Sequence, residues 1–505
     1  MASAGDRWTQ KPQYRVGLLV LERKRDGFDV AWGKKTRGKC WEALVTICGN
    51  NGYALKPLNG DHERVADDRS LRRALQKAHG DVDVVVATQP TISDGRLAAV
   101  LAQACAVPVV LWATPENPDV RGSPVGGVSS NSLVGTHLFA ATLRQLGRRD
   151  VELVYQDQDW TAAASQLSRA IARAAGTARI KTAKIGLIGH QAPGFVDLHP
   201  DPFALHKTFQ GCVLEHVGLA DLVQAAEGID QESVDADRKL AVPGAFADRV
   251  DDERSSRLYL ALKRLVEAEN LDAIAIRCWP ELPRDYGQWP YLAVTRLADE
   301  GLPVACEGDV DGALTMLCCK FLGCGAPYIS DWLEHDRSSF VCWHGGMCPT
   351  CLTSDTGDGG GPRIRPHFNN KKPAVVDATL KPGMDVLAVS TSTNDSHRHA
   401  IEQTLRQCVE STLISAQVTV CRFWVCDGKY HAMICNGRSK PAKRPLSGNN
   451  GLVELDLSDR GGRDLFACFE DWVVTYGMPH HVIICQGHHK ASLAKFASAR
   501  GVKIV

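Results

Sequence analysis

Along the first 175 residues, apolar runs of strand length alternate with stretches of helical spacing. The apolar runs are 14–22 (YRVGLLVLE), 82–91 (VDVVVATQPT), 107–116 (VPVVLWATPE) and 151–157 (VELVYQD). Helices are expected at 38–52, 94–105, 131–147 and 161–176, the third opening on Asn131 as its cap and ending on Gly147. Strands with no polar face, separated by helices, predict a doubly wound parallel sheet. The pattern restarts at 182–195 (TAKIGLIGHQAPGF), followed by helices at 201–210 and 255–271 and a strand at 272–282. The next strand and helix, LPVACEGDV and DGALTMLCCKFLG, complete a second α/β unit. Beyond 328 the pattern changes: short strands at 384–393, 416–425 and 429–437, with turn signals between them, predict an antiparallel barrel or sandwich. A helix at 463–477, a strand at 480–487 and a terminal helix and strand follow. The expected domains are an N-terminal α/β domain, 1–178, a central α/β domain, 179–327, and a C-terminal β-rich domain, 328–505.

Composition narrows the function classes. The 505 residues carry 58 basic and 58 acidic side chains, and no half of the chain is strongly basic, which argues against nucleic acid as a partner. No apolar run approaches the roughly 18 residues that span a bilayer. The first apolar patch, VGLLVL, is too short for a signal-peptide core, so a cytoplasmic protein without membrane contact is expected. The 18 cysteines fall largely in apolar segments of a chain long enough to build its own cores, which predicts buried, reduced thiols.

The segment PVACEGDVDGALTMLCCKFLG (303–323) poses the chemical problem. Glu307, Asp309 and Asp311 crowd the end of an apolar strand, where like charges repel and lose hydration. Ligands of parallel sheets collect at the carboxyl ends of strands, and a cation is the natural compensation there. Downstream, 325–351 offers Asp331, Glu334, His335, Asp336, Cys342, His344, Cys348 and Cys351. Two metal readings compete: structural zinc on Cys342, His344, Cys348 and Cys351, or a harder divalent ion on carboxylates and imidazoles. A third stretch, 477–493, brings His480, His481, His488 and His489; adjacent histidines on a strand point to opposite faces.

Taken in order, PVACEGDVDGAL (303–314), YISDW (328–332), WHGGMCP (343–349) and PHHVIICQG (479–487) resemble the L-fucose/L-arabinose isomerase superfamily of metal-dependent aldose–ketose isomerases. KIGLIGHQAPGF (184–195), LDAIAIRCWPEL (271–282), ATLKPGMDVLAVS (378–390) and DGKYHAMICNGR (427–438) extend the likeness over roughly 180–500. The resemblance implies two doubly wound, Rossmann-like domains followed by a C-terminal, mostly antiparallel β-barrel. It implies Glu307, Asp331 and His481 as ligands of a divalent metal, typically Mn²⁺, with His344 matching the fourth ligand of the arabinose branch. Asp331 in SDW is similar to the fucose branch, and Gly345 stands where the family often has a cysteine. The resemblance also implies a homo-oligomer, trimer or hexamer, in which a neighbour's first domain closes the pocket.

The chemistry suits these groups. Moving a proton between C1 and C2 of a sugar requires a carbon acid to ionise; a metal on O1 and O2 stabilises the enediolate, and a carboxylate carries the proton. Glu307 and Asp331 are the expected acid/base pair on opposite faces of the C1–C2 unit. Arg277 and Trp279 are expected to line the sugar pocket, with His190, Gln191 and Phe195 of loop 189–195 on its hydroxyls. Competing classes are a non-catalytic sugar-binding or regulatory protein, and a metal-dependent epimerase or aldolase.

Overall fold

The computed structural model describes residues 13–22, 30–60, 63–93, 95–119, 128–240, 253–352, 363–367, 373–379, 417–440, 446 and 448–505. The strand expected at 384–393 lies outside these. The first sheet holds β1 (Arg15–Leu21), β2 (Ala54–Pro57), β3 (Arg64–Val65), β4 (Val84–Thr88), β5 (Val109–Ala113) and β6 (Val151–Tyr155). Its order is β2-β1-β4-β5-β6 with β3 also on β1, and every pairing is parallel. β4 and β5 are buried at every position, the structural counterpart of their unbroken apolar sequence. Two cores cover the two faces of this sheet, one around Leu19, Val85 and Leu111, the other around Val16, Val86 and Trp112.

The helix expected at 131–147 forms over Ser132–Gln145, but Asn131 does not cap it. Asn131 lies in the left-handed region at φ 53° and its side chain makes no cap bond. The first helical N–H, that of Ser132, instead donates to Ser130 Oγ at 3.3 Å, while the Glu116 carboxylate holds the approach to the helix by accepting the backbone N–H groups of Ser129, Ser130 and Asn131 at 2.7, 2.9 and 2.6 Å.

The second sheet is also parallel: β7 (Lys184–Ile188), β8 (Val213–Val217), β9 (Ala273–Ile276) and β10 (Val304–Ala305), in the order β10-β9-β7-β8. The chain leaves β7 to one side for β8 and later returns to the other side for β9, so the strand order reverses there. Loops following strands on either side of such a reversal diverge and leave a crevice at the carboxyl edge. The loops after β7, β9 and β10 all begin at that edge.

The third sheet is mostly antiparallel. It comprises β11 (Pro327–His335), β12 (Ser339–His344), β13 (Arg363–Pro366), β14 (Pro373–Thr379), β15 (Gln417–Cys426), β16 (Lys429–Lys440), β17 (Asn449–Leu455), β18 (His481–Gln486) and β19 (Lys503–Ile504). β16 pairs with both β15 and β17, so six strands hydrogen-bond in a closed circuit, β17-β12-β11-β18-β15-β16 and back. Alternate residues such as Tyr328, Phe340, Val420, Trp424, Val453 and Val482 pack together in one cluster. Their neighbours Ile329, Cys421, Phe423, Ile483 and Cys485 join instead the core of the second parallel sheet. The element between the two is the helix Val310–Phe321, in which every residue but Lys320 is buried. That helix follows Glu307 directly, so this packing places the third sheet beside the crevice. Among the described residues no helix is long and apolar enough to cross a membrane, and no two cysteines are joined in a disulfide.

Candidate active site

The strand end that carries Glu307 is shaped by two left-handed residues in succession, Glu307 at φ 62° and Gly308 at φ 74°. At 308 glycine is required twice over, because a Cβ would also stand 2.4 Å from the backbone oxygen of His190. The close approach belongs to loop 189–195, which crosses here. Ala192 N–H donates to the Glu307 carbonyl at 3.1 Å, Gln191 Nε2 to the Gly308 carbonyl at 3.0 Å, and Gly308 N–H to Ile276 at 3.0 Å. Glu307 is therefore held by the loops after β7 and β9 together, and its left-handed backbone aims the carboxylate into the crevice.

The three crowded carboxyl groups are compensated differently. Asp309 caps the helix Val310–Phe321, accepting Gly312 N–H at 2.8 Å, and receives both terminal nitrogens of Arg422 at 2.6 and 2.8 Å. Both members of this pair are 0% exposed. Burial alone would push Asp309 up; the attraction of Arg422 and the contact with His481 instead hold it far below the usual carboxylate range. The cation that matches Asp309 is thus an arginine of the chain itself. Asp311 accepts Tyr430 Oη–H at 2.7 Å, and burial pushes its carboxyl up to about 6. Glu307 alone of the three faces the crevice.

Two further segments reach Glu307. Strand β18 begins with His481, and β11, paired with it antiparallel, places Asp331 directly opposite. His481 is buried; its Nδ1–H donates to Asp309 at 2.9 Å, which fixes the tautomer and leaves the lone pair on Nε2. That Nε2 lies 3.5 Å from Glu307 Oε2 and 3.5 Å from Asp331 Oδ1, buried and without a hydrogen-bond partner.

His480 was expected to turn away from His481. It precedes the first residue of β18, so strand alternation does not govern it, and both rings converge, with centroids 4.3 Å apart. His480 Nδ1 donates to Asp197 at 2.6 Å and Nε2 to Glu307 Oε2 at 3.4 Å. Burial disfavours its charge, but Asp197 and Glu307 outweigh that and raise its pKa to about 10. Glu307 itself is held below its ordinary value: burial opposes, while His480, His481 and Trp279 favour the carboxylate. A protonated His480 donates with both nitrogens, so the lone pair pointed at the carboxyl groups belongs to His481.

Trp279 Nε1–H donates to Glu307 Oε1 at 3.1 Å, and Phe195 stands edge-on to Trp279 and tilted against His480, with centroids 5.6 and 5.1 Å away. Arg277 is committed elsewhere: its guanidinium pairs with Glu281 and donates to the Gln191 carbonyl at 3.0 Å, so it braces loop 189–195. The exposed ring of His190 lies 5.8 Å from His199. Gln191 is buried and keeps one unpaired atom, Oε1. His344 lies behind His481, centroids 6.3 Å apart, and burial keeps its imidazole below the usual value and neutral. Its Nδ1 accepts N–H groups from Gly346 and Met347 at 3.2 and 3.3 Å, which puts the proton on Nε2. The ligand role that the resemblance implies for His344 therefore requires the other tautomer.

The donor set can be tested for a cation. Glu307, His480 and His481 bring their polar atoms within 4.8 Å of one another, and Asp331 adds a carboxylate beside them; with His480 donating from both nitrogens, the lone pairs on offer are those of Glu307, Asp331 and His481. An orphaned, buried imidazole nitrogen between two carboxyl groups fits a divalent ion, and mixed oxygen and nitrogen donors suit Mn, Fe, Co or Mg. Cys342, His344, Cys348 and Cys351 of the alternative zinc reading form no such group of ligand atoms: Cys342 Sγ turns to the Gly451 carbonyl at 3.3 Å and Cys348 Sγ to that of Pro349 at 3.5 Å.

Sequence reading missed Asp197 and Arg422. Asp197 gives no signal in its loop. Arg422, inside the apolar run VTVCRFWV, did give one, since a charge within a buried strand must have a buried partner.

No protein-family model matches the chain. Similarity to curated proteins is found with the sulfoquinovose isomerase of Alkalicoccus urumqiensis, 27% identical over 327 residues, 64% of this chain and 72% of the relative. The sulfoquinovose isomerases of Priestia aryabhattai and Priestia megaterium are each 25% identical over 389 residues, covering 75% of this chain and 83% of theirs.

Proposed function

We propose that this chain is a sugar isomerase that interconverts an aldose and a ketose, using a divalent metal, Mn²⁺ by preference, held by Glu307, Asp331 and His481. The observation that carries this reading is the lone pair of His481 Nε2, fixed from behind by Asp309 and facing two carboxyl groups 3.5 Å away. The similarity to sulfoquinovose isomerases supports the reaction class.

When bound, the ion would polarise the sugar carbonyl and contribute several kcal/mol toward ionising the neighbouring C–H. Glu307, positioned by Trp279 at one oxygen and His480 at the other, takes the proton from that carbon and returns it to the adjacent one. Asp331 moves the second proton between the two sugar oxygens from the opposite side. His480, cationic between Asp197 and Glu307, limits the repulsion between the two carboxyl groups and orients Glu307. Phe195 and Trp279 offer aromatic surface to the C–H groups of the sugar, and Gln191 Oε1 takes one of its hydroxyls. The units proposed to build this pocket are 1–178, 179–327 and 328–505, in a homo-oligomer.

The test is ketose formation followed by NMR with Mn²⁺ and sulfoquinovose, L-fucose or L-arabinose. Sulfoquinovose comes first because the relatives are named for it; the other two follow from the motif resemblance. Conversion of one of them that disappears in Glu307→Gln is expected. A folded wild type that converts none of the three, with any divalent metal, overturns the proposal.

A further inference from the structure

Ligating atoms converge a second time, at the opposite end of the helix Val310–Phe321. Cys319 lies in its last turn. Gly323, at φ 76°, turns the chain back so that Cys324 N–H donates to the Cys319 carbonyl at 2.8 Å. Cys485 on β18 completes a trio whose Sγ atoms all lie within 4.8 Å of one another, each buried. Cys421 on β15 adds a fourth sulfur, 3.6 Å from Cys319 Sγ and 0% exposed.

The three Sγ atoms of the trio lie close enough to share one ion, and Cys421, in contact with Cys319 but outside the trio's mutual range, would shift toward Cys324 and Cys485 to close the fourth corner. Four thiolates at about 2.3 Å from a tetrahedral zinc stand roughly 3.8 Å apart. They are too close together for a cluster with inorganic sulfides between them. An all-sulfur donor set also selects a different metal from the oxygen and nitrogen donors around Glu307. The placement has a mechanical sense. At its start the helix is tied to β15 and β18 through Asp309, which meets Arg422 and His481. At its end the same helix meets the same two strands through Cys319, with Cys421 and Cys485. Midway, Phe423 N–H donates to Thr315 Oγ1 at 3.0 Å.

We propose that Cys319, Cys324, Cys421 and Cys485 bind a structural zinc ion that fixes the far end of the helix Val310–Phe321 to β15 and β18. Binding exchanges thiol protons for the metal and involves no change of oxidation state. The site makes no contact with sugar, and its test is independent of the isomerase reading.

The experiment is metal analysis with zinc-edge X-ray absorption on the full chain, purified without chelators after growth in zinc-supplemented medium. About one zinc per chain with a sulfur-only shell near 2.3 Å is expected. Glu307→Gln keeps this signal and Cys319→Ser loses it. Should Cys319→Ser fail to fold, Cys421→Ser serves, and the wild-type spectrum decides alone. A folded wild type without sulfur-bound zinc, iron at these thiols, or a Cys319–Cys421 disulfide in non-reducing peptide mapping overturns the proposal.

Discussion

Replacing Asp309 with Asn removes one charge and almost no volume from the contacts that run Arg422–Asp309–His481. Arg422 is 0% exposed and donates to Asp309 at 2.6 and 2.8 Å, so the variant leaves a buried guanidinium without its counter-charge. Breaking such a pair from one side costs about 3–5 kcal/mol. His481 loses the carboxylate that holds its Nδ1–H at 2.9 Å. Loss of an outer partner of this kind lowers metal affinity by about 10- to 100-fold, roughly 1.4–2.7 kcal/mol. Urea unfolding of the metal-free protein reads the first effect and calorimetric titration with Mn²⁺ the second. The double variant Asp309→Asn/Arg422→Met separates them: removing both charges restores most of the stability, while Mn²⁺ binding stays weak. The Asp309 carboxyl is depressed in the folded state, so its stabilisation is present above the ordinary carboxylate pKa and is lost only as pH falls toward the folded value. The gap between wild type and Asp309→Asn should accordingly be flat from about pH 8 to about pH 5. An Asp309→Asn protein that unfolds at the wild-type urea concentration and binds Mn²⁺ as tightly as wild type refutes the reasoning.

Asp311→Asn should behave oppositely with pH. Burial raises the Asp311 carboxyl to about 6, so the native state favours its protonated form and loses stability as pH rises through that value. The Asn variant should gain on the order of 3 kcal/mol relative to wild type above pH ~7 and nothing at pH ~4, read by urea unfolding at both values. Gly308→Ala puts a Cβ 2.4 Å from the His190 oxygen at φ 74°, and should cost at least ~1–2 kcal/mol in thermal unfolding; an unchanged melting temperature would remove the argument that loop 189–195 clamps Glu307. His344→Asn should weaken Mn²⁺ binding less than His481→Asn, since His344 turns its lone pair to the backbone; equal losses by calorimetry would show that the other tautomer operates.

The two parallel sheets were legible because a strand covered on both faces has no polar side to interrupt its apolar run, as in β4 and β5. β11 and β12 were not read as strands: β11 carries Ser330, Asp331, Glu334 and His335, and its later positions are half-buried or exposed, which breaks both alternation and run. β2, an edge strand of four residues with one partner, offers too little apolar surface to register. Within the site, Glu307 was conspicuous as a carboxylate at a strand end, while Asp331 and His481 came from motif resemblance. That these three meet follows from the pairing of β11 with β18 and from the shared helix Val310–Phe321, contacts between segments far apart in sequence that spacing does not encode. The bracing role of Arg277 was hidden for the same reason, since Glu281 and the carbonyl of Gln191 claim its donors only in the folded chain.

In the proposed reaction Glu307, Asp331 and His481 together let a sugar's carbon exchange its proton. Incubating the enzyme with its sugar and Mn²⁺ in heavy water and following the C1 and C2 protons by NMR tests this most directly. Deuterium entering at C1 or C2 with wild type, and vanishing on chelation and in Glu307→Gln, is the predicted result. Exchange that persists without metal, or that Glu307→Gln sustains at the wild-type rate, contradicts it.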